Sequence, residues 1–298
     1  NLDAAIFRRV GITRMPLVAL AISAALNVVL DGTFVAFLGW GAAGVALATV
    51  LCYIVSSGFL FMRLLKADEA IRIEPRRLCA DRASVAKIIR IGLPAGIQGG
   101  VFSIANILIQ TCINSLGPEV VAASSAALAL EFVCYSLLNS FSQACTTFVG
   151  QNNGAKDLGR CRKTLKVCLV EDAIVAITMI LLVVWQGRTM LSIFSSDPAV
   201  LDIAYVRVCT IFPAYVFSMI YENMSGYLRG FGISLLPSVL TALGVCGARF
   251  FWVLVVFPAS STFATVMLAY PVSLGLTALL ITGALLYCKP GWGSAHPA

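Results

Sequence analysis

An amide, a carboxylate and a hydroxyl recur at similar depth on two neighbouring apolar segments near the start of the chain. Asn27 and Asp31 are one helical turn apart, and Thr49 lies on the segment that returns after a short turn at residues 39–41. Oxygen atoms of these types are ligands for a hard cation, and a buried carboxylate can also carry a proton. The three residues therefore predict a proton relay or a cation site. The alternative is a merely hydrated Asp31 at the membrane interface.

Three further segments each carry a stripe of polar side chains at a helical spacing of three or four residues. Polar stripes on otherwise apolar helices face a cavity or the interior of a helix bundle. Hydrogen bonds between helices are the alternative use of each single side chain. Because the three stripes lie on three helices of one predicted lobe (residues 92–288), we predict a wet cleft that binds substrate. Its predicted lining residues are Asn106, Gln110, Glu131, Tyr135, Asn139, Tyr215 and Glu222.

Charged residues deep within apolar segments need a partner, and the sequence offers one pair. Counted at about 1.5 Å per residue, Glu131 and Arg249 enter from opposite sides and reach similar depth. We therefore predict an ion pair between Glu131 and Arg249 near the membrane midplane. Glu171 and Asp172 lie near a segment end with basic neighbours, and we expect their side chains to extend to the aqueous interface.

The composition of the chain indicates a membrane protein. Of the 298 residues, 59% are hydrophobic and only 12% are charged, compared with roughly 25% charged in soluble domains. The net charge of +7 resides in the connections between apolar runs, so it does not indicate a nucleic-acid partner. The ten cysteines include no CxxC pair and the single histidine is His296, so neither a metalloenzyme nor a hydrolase is expected.

Eight apolar runs have the length of about 20 residues or more that is needed to cross a bilayer. Basic residues concentrate in alternate connections, which predicts that both ends of the chain are cytoplasmic. The predicted fold class is all-α, a multi-pass protein of the plasma membrane. The runs cover residues 15–38, 41–64, 92–115, 120–148, 164–186, 200–228, 235–257 and 263–287.

A loop motif of arginine, glycine, hydroxyl residue and proline occurs twice, 221 residues apart (229 − 8). The matching pairs are Arg8 and Arg229, Gly11 and Gly232, Thr13 and Ser234, and Pro16 and Pro237. We interpret the repeat as two lobes of six helices in parallel orientation, of which the first is incomplete here. The predicted parts are the last two helices of the N-terminal lobe (1–65), a cytoplasmic linker (66–91), a complete C-terminal lobe (92–288) and a cytoplasmic tail (289–298).

The stretch Gln151-Asn152-x-Gly154-Ala155 ends an apolar run and is followed by basic residues. With the two repeated loops, Gly92-Leu93-Pro94 and the Asn27 to Asp31 segment, it resembles the multidrug and toxic compound extrusion (MATE) family from its fifth to its twelfth helix. The residues that carry this family signature are Gln151, Asn152, Gly154, Ala155, Arg229, Gly232 and Pro237.

The resemblance implies two six-helix lobes around a central cleft that opens alternately to each side of the membrane. It implies a monomer, not an enzyme, that exports organic cations or amphiphiles in exchange for Na⁺ or H⁺ and has no cofactor beyond that ion. In one branch of the family the coupling site has the spacing of Asn27, Asp31 and Thr49. The alternative function is a lipid-linked-oligosaccharide flippase of the same superfamily, whose cleft should be strongly cationic.

Asp31→Asn in the natural full-length protein should abolish gradient-driven export, because the amide keeps the size of the side chain but removes the exchangeable charge. Folding and much of the substrate binding should remain. Thr49→Ala should be milder, since it removes one neutral ligand worth on the order of 1 kcal/mol. Export of a fluorescent substrate from proteoliposomes under an imposed Na⁺ or H⁺ gradient measures both variants. Normal coupled export by Asp31→Asn would contradict the assignment.

Overall fold

A computed structural model of the protein describes residues 2–67, 71–73 and 81–291. Over these residues the secondary structure is helical, without a β-strand. The helices are α1 (Leu2–Arg9), α2 (Arg14–Phe37), α3 (Gly41–Leu65), α4 (Arg82–Asn114), α5 (Pro118–Gly154), α6 (Leu158–Leu191), α7 (Pro198–Gly230), α8 (Leu235–Ala259) and α9 (Phe263–Cys288). Of the helices described, the eight from α2 to α9 are long and apolar enough to cross a membrane. The predicted all-α membrane fold is confirmed.

Three of these helices contain turns of a different pitch. In α2 the α-helix ends at Asp31 and continues as a π-helix over Gly32–Phe37. In α8 two π-helical segments, Ala242–Gly247 and Trp252–Val256, flank a single α-helical turn. In α7 a 3-10 turn at Phe212–Ala214 contains a proline, which cannot donate a backbone hydrogen bond to the preceding turn. Short π-helical insertions occur frequently at functional sites.

The chain forms two compact units, residues 1–82 and 83–298. In the first unit α2 and α3 pack along each other through small residues, including the buried Gly44 and Ala48. A Cβ atom on Gly44 would lie 2.9 Å from the Cβ of Phe34, so this approach requires glycine. The Ser23 hydroxyl donates to the carbonyl of Cys52 at 3.2 Å and joins the middle of the two helices.

In the second unit α7 is central and packs against α5, α6 and α9. Gly226 of α7 faces the backbone of Ser142 in α5, where an added Cβ would lie 2.5 Å from the carbonyl oxygen. One turn later, Gly230 packs in the same way against Val149. Small residues at helix contacts allow the backbones to approach, which matters in a membrane because lipid is as apolar as the helix surface. The contact between α5 and α7 is therefore close and intolerant of larger residues.

The repeated loop motif has the same backbone geometry in both units. Gly11 and Gly232 have φ angles of +84° and +83°, a left-handed conformation that glycine adopts without steric strain. The residue after each glycine donates its N–H to the carbonyl five residues earlier, at 3.0 Å in both copies. This is the Schellman helix ending. The helices that follow, α2 and α8, begin 221 residues apart (235 − 14), which supports the duplication.

Two helix boundaries differ from those expected. The helix predicted to start at residue 92 begins at Arg82, so the end of the predicted linker is helical. The linker residues 68–70 and 74–80 and the tail beyond 291, with His296, lie outside the described residues. The helix expected to stop at Gly150 continues through Gly154, and the left-handed residue that follows is Lys156, with φ +59°.

Gly226→Ala should destabilise the protein, because the new methyl group meets backbone atoms of Ser142 that cannot rotate away. Overpacking of this kind typically costs about 1–3 kcal/mol. Gly283→Ala is the matched control, since a Cβ at that position of α9 meets nothing within 4 Å. Thermal unfolding in detergent measures both variants. Equal midpoints for the two would show that α5 and α7 separate without penalty.

Candidate functional site

A cavity of about 420 Å³ lies within the second unit, bounded by α4, α5, α7, α8 and α9. Polar or charged residues contribute five of its lining side chains: Asn106, Gln110, Glu131, Ser218 and Arg249. Aromatic residues contribute six: Phe102, Phe132, Tyr135, Tyr215, Tyr221 and Tyr270. Apolar walls with a few convergent polar groups are the usual form of a small-molecule site. This cavity is therefore the candidate binding site of the second unit.

Five of the predicted substrate residues line this cavity, namely Asn106, Gln110, Glu131, Tyr135 and Tyr215. Asn139 is not among its lining residues, and its side-chain oxygen accepts a hydrogen bond from the Gln143 amide at 2.8 Å. Glu222 lies behind the wall, where its carboxylate accepts a hydrogen bond from the Tyr135 hydroxyl at 2.9 Å. That these residues bind substrate stays a prediction. Helical spacing of polar residues identifies only Tyr135 and Tyr215 of the aromatic wall, because aromatic side chains are more often part of the core.

Glu131 pairs with Arg207, not with Arg249 as predicted. The guanidinium of Arg207 donates from Nε to Oε1 of Glu131 at 2.6 Å and from Nη2 to Oε2 at 3.0 Å, and both side chains are buried. Such two-point pairing is the strongest geometry between guanidinium and carboxylate. The sequence places Arg207 within the apolar run of residues 200–228 and does not indicate its partner. In the structure it lies nine residues inside α7 (207 − 198), on the helix packed against α5, and it occupies both carboxylate oxygens.

Arg249 is a buried cation of the cavity wall, with 3% of its surface exposed. Its guanidinium donates to Oδ1 of Asn106 at 2.8 Å and to the hydroxyl of Ser273 at 3.4 Å. It lies over the rings of Tyr270, at 4.4 Å, and Phe102, at 5.3 Å. In the described part of the chain no carboxylate lies within 4 Å of its nitrogen atoms. Neutral acceptors and ring faces hold this group without cancelling its charge.

The three residues predicted as a coupling site lie in the first unit. Asp31 is half-buried, its Oδ1 atom is buried without a hydrogen-bond partner, and the π-helical turn of α2 begins directly after it. Asn27 is also half-buried, one turn earlier on α2. The Thr49 hydroxyl donates to the carbonyl of Val45 at 2.9 Å, so only its lone pairs remain for another partner. A buried carboxylate oxygen without a donor is unfavourable, so Asp31 has free capacity for a proton or a cation.

A sequence profile named MatE matches residues 94–255, more than half of the chain (162 of 298). The chain belongs to the MatE family. This is the multidrug and toxic compound extrusion (MATE) family that the motifs resemble. The match covers α5, α6 and α7 completely and most of α4 and α8, which are the helices that carry most of the cavity lining.

Known proteins similar to this chain have transporter names. It is 26% identical over 249 residues to the probable multidrug resistance protein NorM of Thermotoga maritima, covering 82% of this chain and 53% of that protein. It is 26% identical over 202 residues to the FAD transporter of Shewanella oneidensis, covering 65% and 44%. The chain thus spans about half the length of these relatives. A solved transporter of the MOP superfamily from Pyrococcus furiosus shares the fold, with a TM-score of 0.86, 19% identity, and coverage of 99% of this chain and 67% of that one.

The MATE signature residues lie at helix junctions. Gln151, Asn152, Gly154 and Ala155 are at the end of α5, Arg229 is in the last turn of α7, Gly232 is in the loop that follows, and Pro237 is in the first turn of α8. The Asn152 amide donates to the carbonyl one turn earlier at 2.8 Å, and the Ala155 N–H does the same at 3.0 Å. The Arg229 guanidinium reaches the side-chain oxygen of Gln98 in α4 at 3.3 Å. These contacts cap and connect helix ends, so the signature marks architecture in this MATE chain.

Asp172 is fully buried, although its basic neighbours in the sequence predict that it reaches the aqueous interface. Its neighbour Glu171 is exposed. The buried face of α6 has spacings of three and four residues, at Cys161, Leu165, Cys168, Asp172 and Ala176. That periodicity was present in the sequence and is the signal that places Asp172 inside. Its carboxylate accepts a hydrogen bond from the amide of Asn223 in α7.

Glu131→Gln should destabilise the protein strongly, because it leaves the buried charge of Arg207 without a counter-charge. Removing one partner of a buried ion pair typically costs about 3–5 kcal/mol. Replacing both residues by apolar ones, as in Glu131→Leu with Arg207→Met, should recover much of the loss. Asp202→Asn is the matched control, because its pair with Arg188 is exposed and such pairs contribute about 0–1 kcal/mol. Thermal unfolding would contradict the assignment if Glu131→Gln were as mild as Asp202→Asn.

Proposed function

We propose that the protein is a secondary active efflux antiporter that exports small amphiphilic compounds in exchange for Na⁺ or H⁺ by alternating access. The observation that carries the proposal is an aromatic-walled cavity of about 420 Å³ in a MATE-family chain. Small-molecule sites are typically about 300–1,000 Å³. The multidrug name of the Thermotoga maritima relative supports the same reading.

Asp31 is the coupling group in this proposal, with Asn27 and Thr49 as additional oxygen ligands. Support comes from the unpartnered Oδ1 atom of Asp31 and from the π-helical turns that follow it. A proton or Na⁺ at this position changes the hydrogen bonds available to the α2–α3 pair. Binding that differs between two conformations shifts the balance between them, which is the requirement for coupling.

The proposed substrates are organic cations or amphiphiles. The aromatic lining supports both, because ring faces bind flat apolar groups and attract cations. The two acids do not add to a preference for cations. Both oxygens of Glu131 are occupied by Arg207, and Glu222 lies behind Tyr135. Aromatic stacking, not a free carboxylate, is thus the attraction that the described cavity offers to a cation.

One observation favours a second candidate, the export of amphiphilic anions. Arg249 brings a positive charge to the cavity, and no carboxylate within 4 Å balances it in the described residues. Guanidinium groups bind carboxylates and phosphates through parallel hydrogen bonds. One relative is named a FAD transporter, and FAD carries two phosphate groups. A lipid-linked-oligosaccharide flippase belongs to this second candidate, because such lipids also present phosphates.

The proposed location is the plasma membrane, with both ends of the chain cytoplasmic and one copy acting alone in the bilayer. The distribution of basic residues between alternate connections supports this orientation. The eight membrane-spanning helices of the described chain agree with it, since an even number returns the chain to its starting side.

Two fluorescent compounds with one aromatic skeleton, one cationic and one anionic, distinguish the candidates. The natural full-length protein is reconstituted in proteoliposomes, and export is followed with and without an imposed Na⁺ or H⁺ gradient. For an exporter of anions, Arg249→Gln should lower anion export about tenfold or more, since a hydrogen bond to a charged group contributes about 1.5–3 kcal/mol. Cation export should be retained.

Arg188→Gln is the matched control, because that arginine is exposed and is not among the residues that line the cavity. Preferential export of the cationic compound, insensitive to Arg249→Gln, selects the first candidate. Absence of gradient-dependent export of both compounds would contradict the proposed antiport.

A further inference from the structure

Two side chains buried between α6 and α7 are each left with an unsatisfied oxygen atom. Asp172 and Asn223 are both 0% exposed. The amide nitrogen of Asn223 donates to Oδ2 of Asp172 and to the carbonyl of Met219, the latter at 3.0 Å. The Oδ1 atoms of both side chains are buried and have no hydrogen-bond partner. A carboxylate and an amide oxygen are both acceptors, so they cannot satisfy each other.

The amide cannot correct this mismatch by turning over. Its two N–H groups are used by Asp172 and by the Met219 carbonyl. A rotated amide would place its oxygen against acceptors in both directions, which is less favourable than the observed orientation. Within the pair, the side chain that can supply the missing donor is Asp172, as a protonated acid.

We propose that Asp172 carries a proton on Oδ1 and donates it to Oδ1 of Asn223, which makes Asp172 an exchangeable proton site of the second unit. A carboxylic acid and an amide then form two opposed hydrogen bonds, one in each direction. A single proton satisfies both orphaned atoms at once. Because buried polar atoms are rarely left unpaired in proteins, this is the arrangement that the geometry supports.

The groups that surround Asp172 provide no cation that would hold it ionised. On α7, Glu222 interacts with it electrostatically and is also an acid. On α6 the titratable neighbours are Cys168 and the exposed Glu171, and on α5 the Cys145 thiol interacts with Cys168. Among the described residues no arginine or lysine forms an ion pair with Asp172. A second negative charge beside an acid in this apolar setting is unfavourable.

The proton site is connected to the wall of the cavity through one intervening residue, Glu222. Glu222 immediately precedes Asn223 on α7 and accepts the hydrogen bond of Tyr135, which lines the cavity. When the O–H bond of Asp172 breaks, the proton passes to the Glu222 carboxylate or to water, and Asp172 becomes a carboxylate. One of the two bonds between α6 and α7 is then lost. The use of this event in coupling rests on the proposed antiport, whereas the binding of the proton does not.

Infrared difference spectroscopy on the purified natural full-length protein tests the site without any transport. A protonated carboxyl group has a carbonyl band that a carboxylate lacks, and the band shifts on exchange into D₂O. We expect one such band to be lost in Asp172→Asn, whose amide reproduces both hydrogen bonds of the acid and so preserves the fold. Glu171→Gln, which removes the exposed neighbouring acid, should keep the band. Raising the pH of the wild-type protein should remove the band reversibly.

Asn223→Ala is a second variant that retains the acid and removes its partner. Its carbonyl band should move to higher frequency, because the oxygen loses the bond from the amide. Identical carboxyl bands in the wild type and Asp172→Asn would overturn the proton site. A band that persists at every pH at which the protein stays folded would overturn exchange, and an unshifted band in Asn223→Ala would overturn the acid–amide pair. Each outcome is independent of whether the protein exports anything.

Discussion

A charge buried among membrane-spanning helices needs a partner, and the second unit is arranged around one such pair. Glu131 of α5 and Arg207 of α7 neutralise each other through two hydrogen bonds. Because this pair is closed, neither residue offers a free charge to the cavity that Glu131 lines. The net charge of the cavity wall is then decided by Arg249, held by Asn106 and two aromatic rings. Whether the cavity attracts cations or anions thus depends on which arginine pairs with Glu131.

Polar contacts to two neighbouring helices, α5 and α6, converge on α7. Its first half supplies Arg207 to α5, and its second half supplies Glu222 to Tyr135 and Asn223 to Asp172 of α6. The same helix approaches α5 closely at its glycines. A helix that combines close packing with several buried polar contacts can transmit a change at one of them to the others, since packed interfaces have discrete arrangements rather than continuous ones.

The two units share π-helical segments at nearly equivalent positions, but the charged residues beside these segments differ. The π-helical segment of α2 starts at Gly32 and the second one of α8 starts at Trp252, a separation of 220 (252 − 32) that is one residue from the repeat. In the first unit this widened turn follows Asp31. In the second, π-helical segments enclose the turn that carries Arg249. A local irregularity thus recurs at nearly the repeat spacing, beside a carboxylate in one unit and a guanidinium in the other.

The sequence alone determined the fold class, the eight spans, the repeated loops and the family. These features follow from composition, the length of apolar runs and short motifs, which are local properties that can be recognised without knowing how the helices pack. Helical spacing also grouped most of the polar residues that line the cavity.

Partner choice was decided only by the tertiary structure. Glu131 pairs with Arg207 because α5 and α7 are packed together. Depth counted along a helix does not specify which helices are neighbours. Asp172 is buried because its face of α6 meets α7, whereas its proximity to basic residues in the sequence suggested that it lies at the aqueous interface of the membrane. The aromatic wall likewise exists only where α4, α5, α7 and α9 meet, since each ring by itself is an ordinary side chain of an apolar helix.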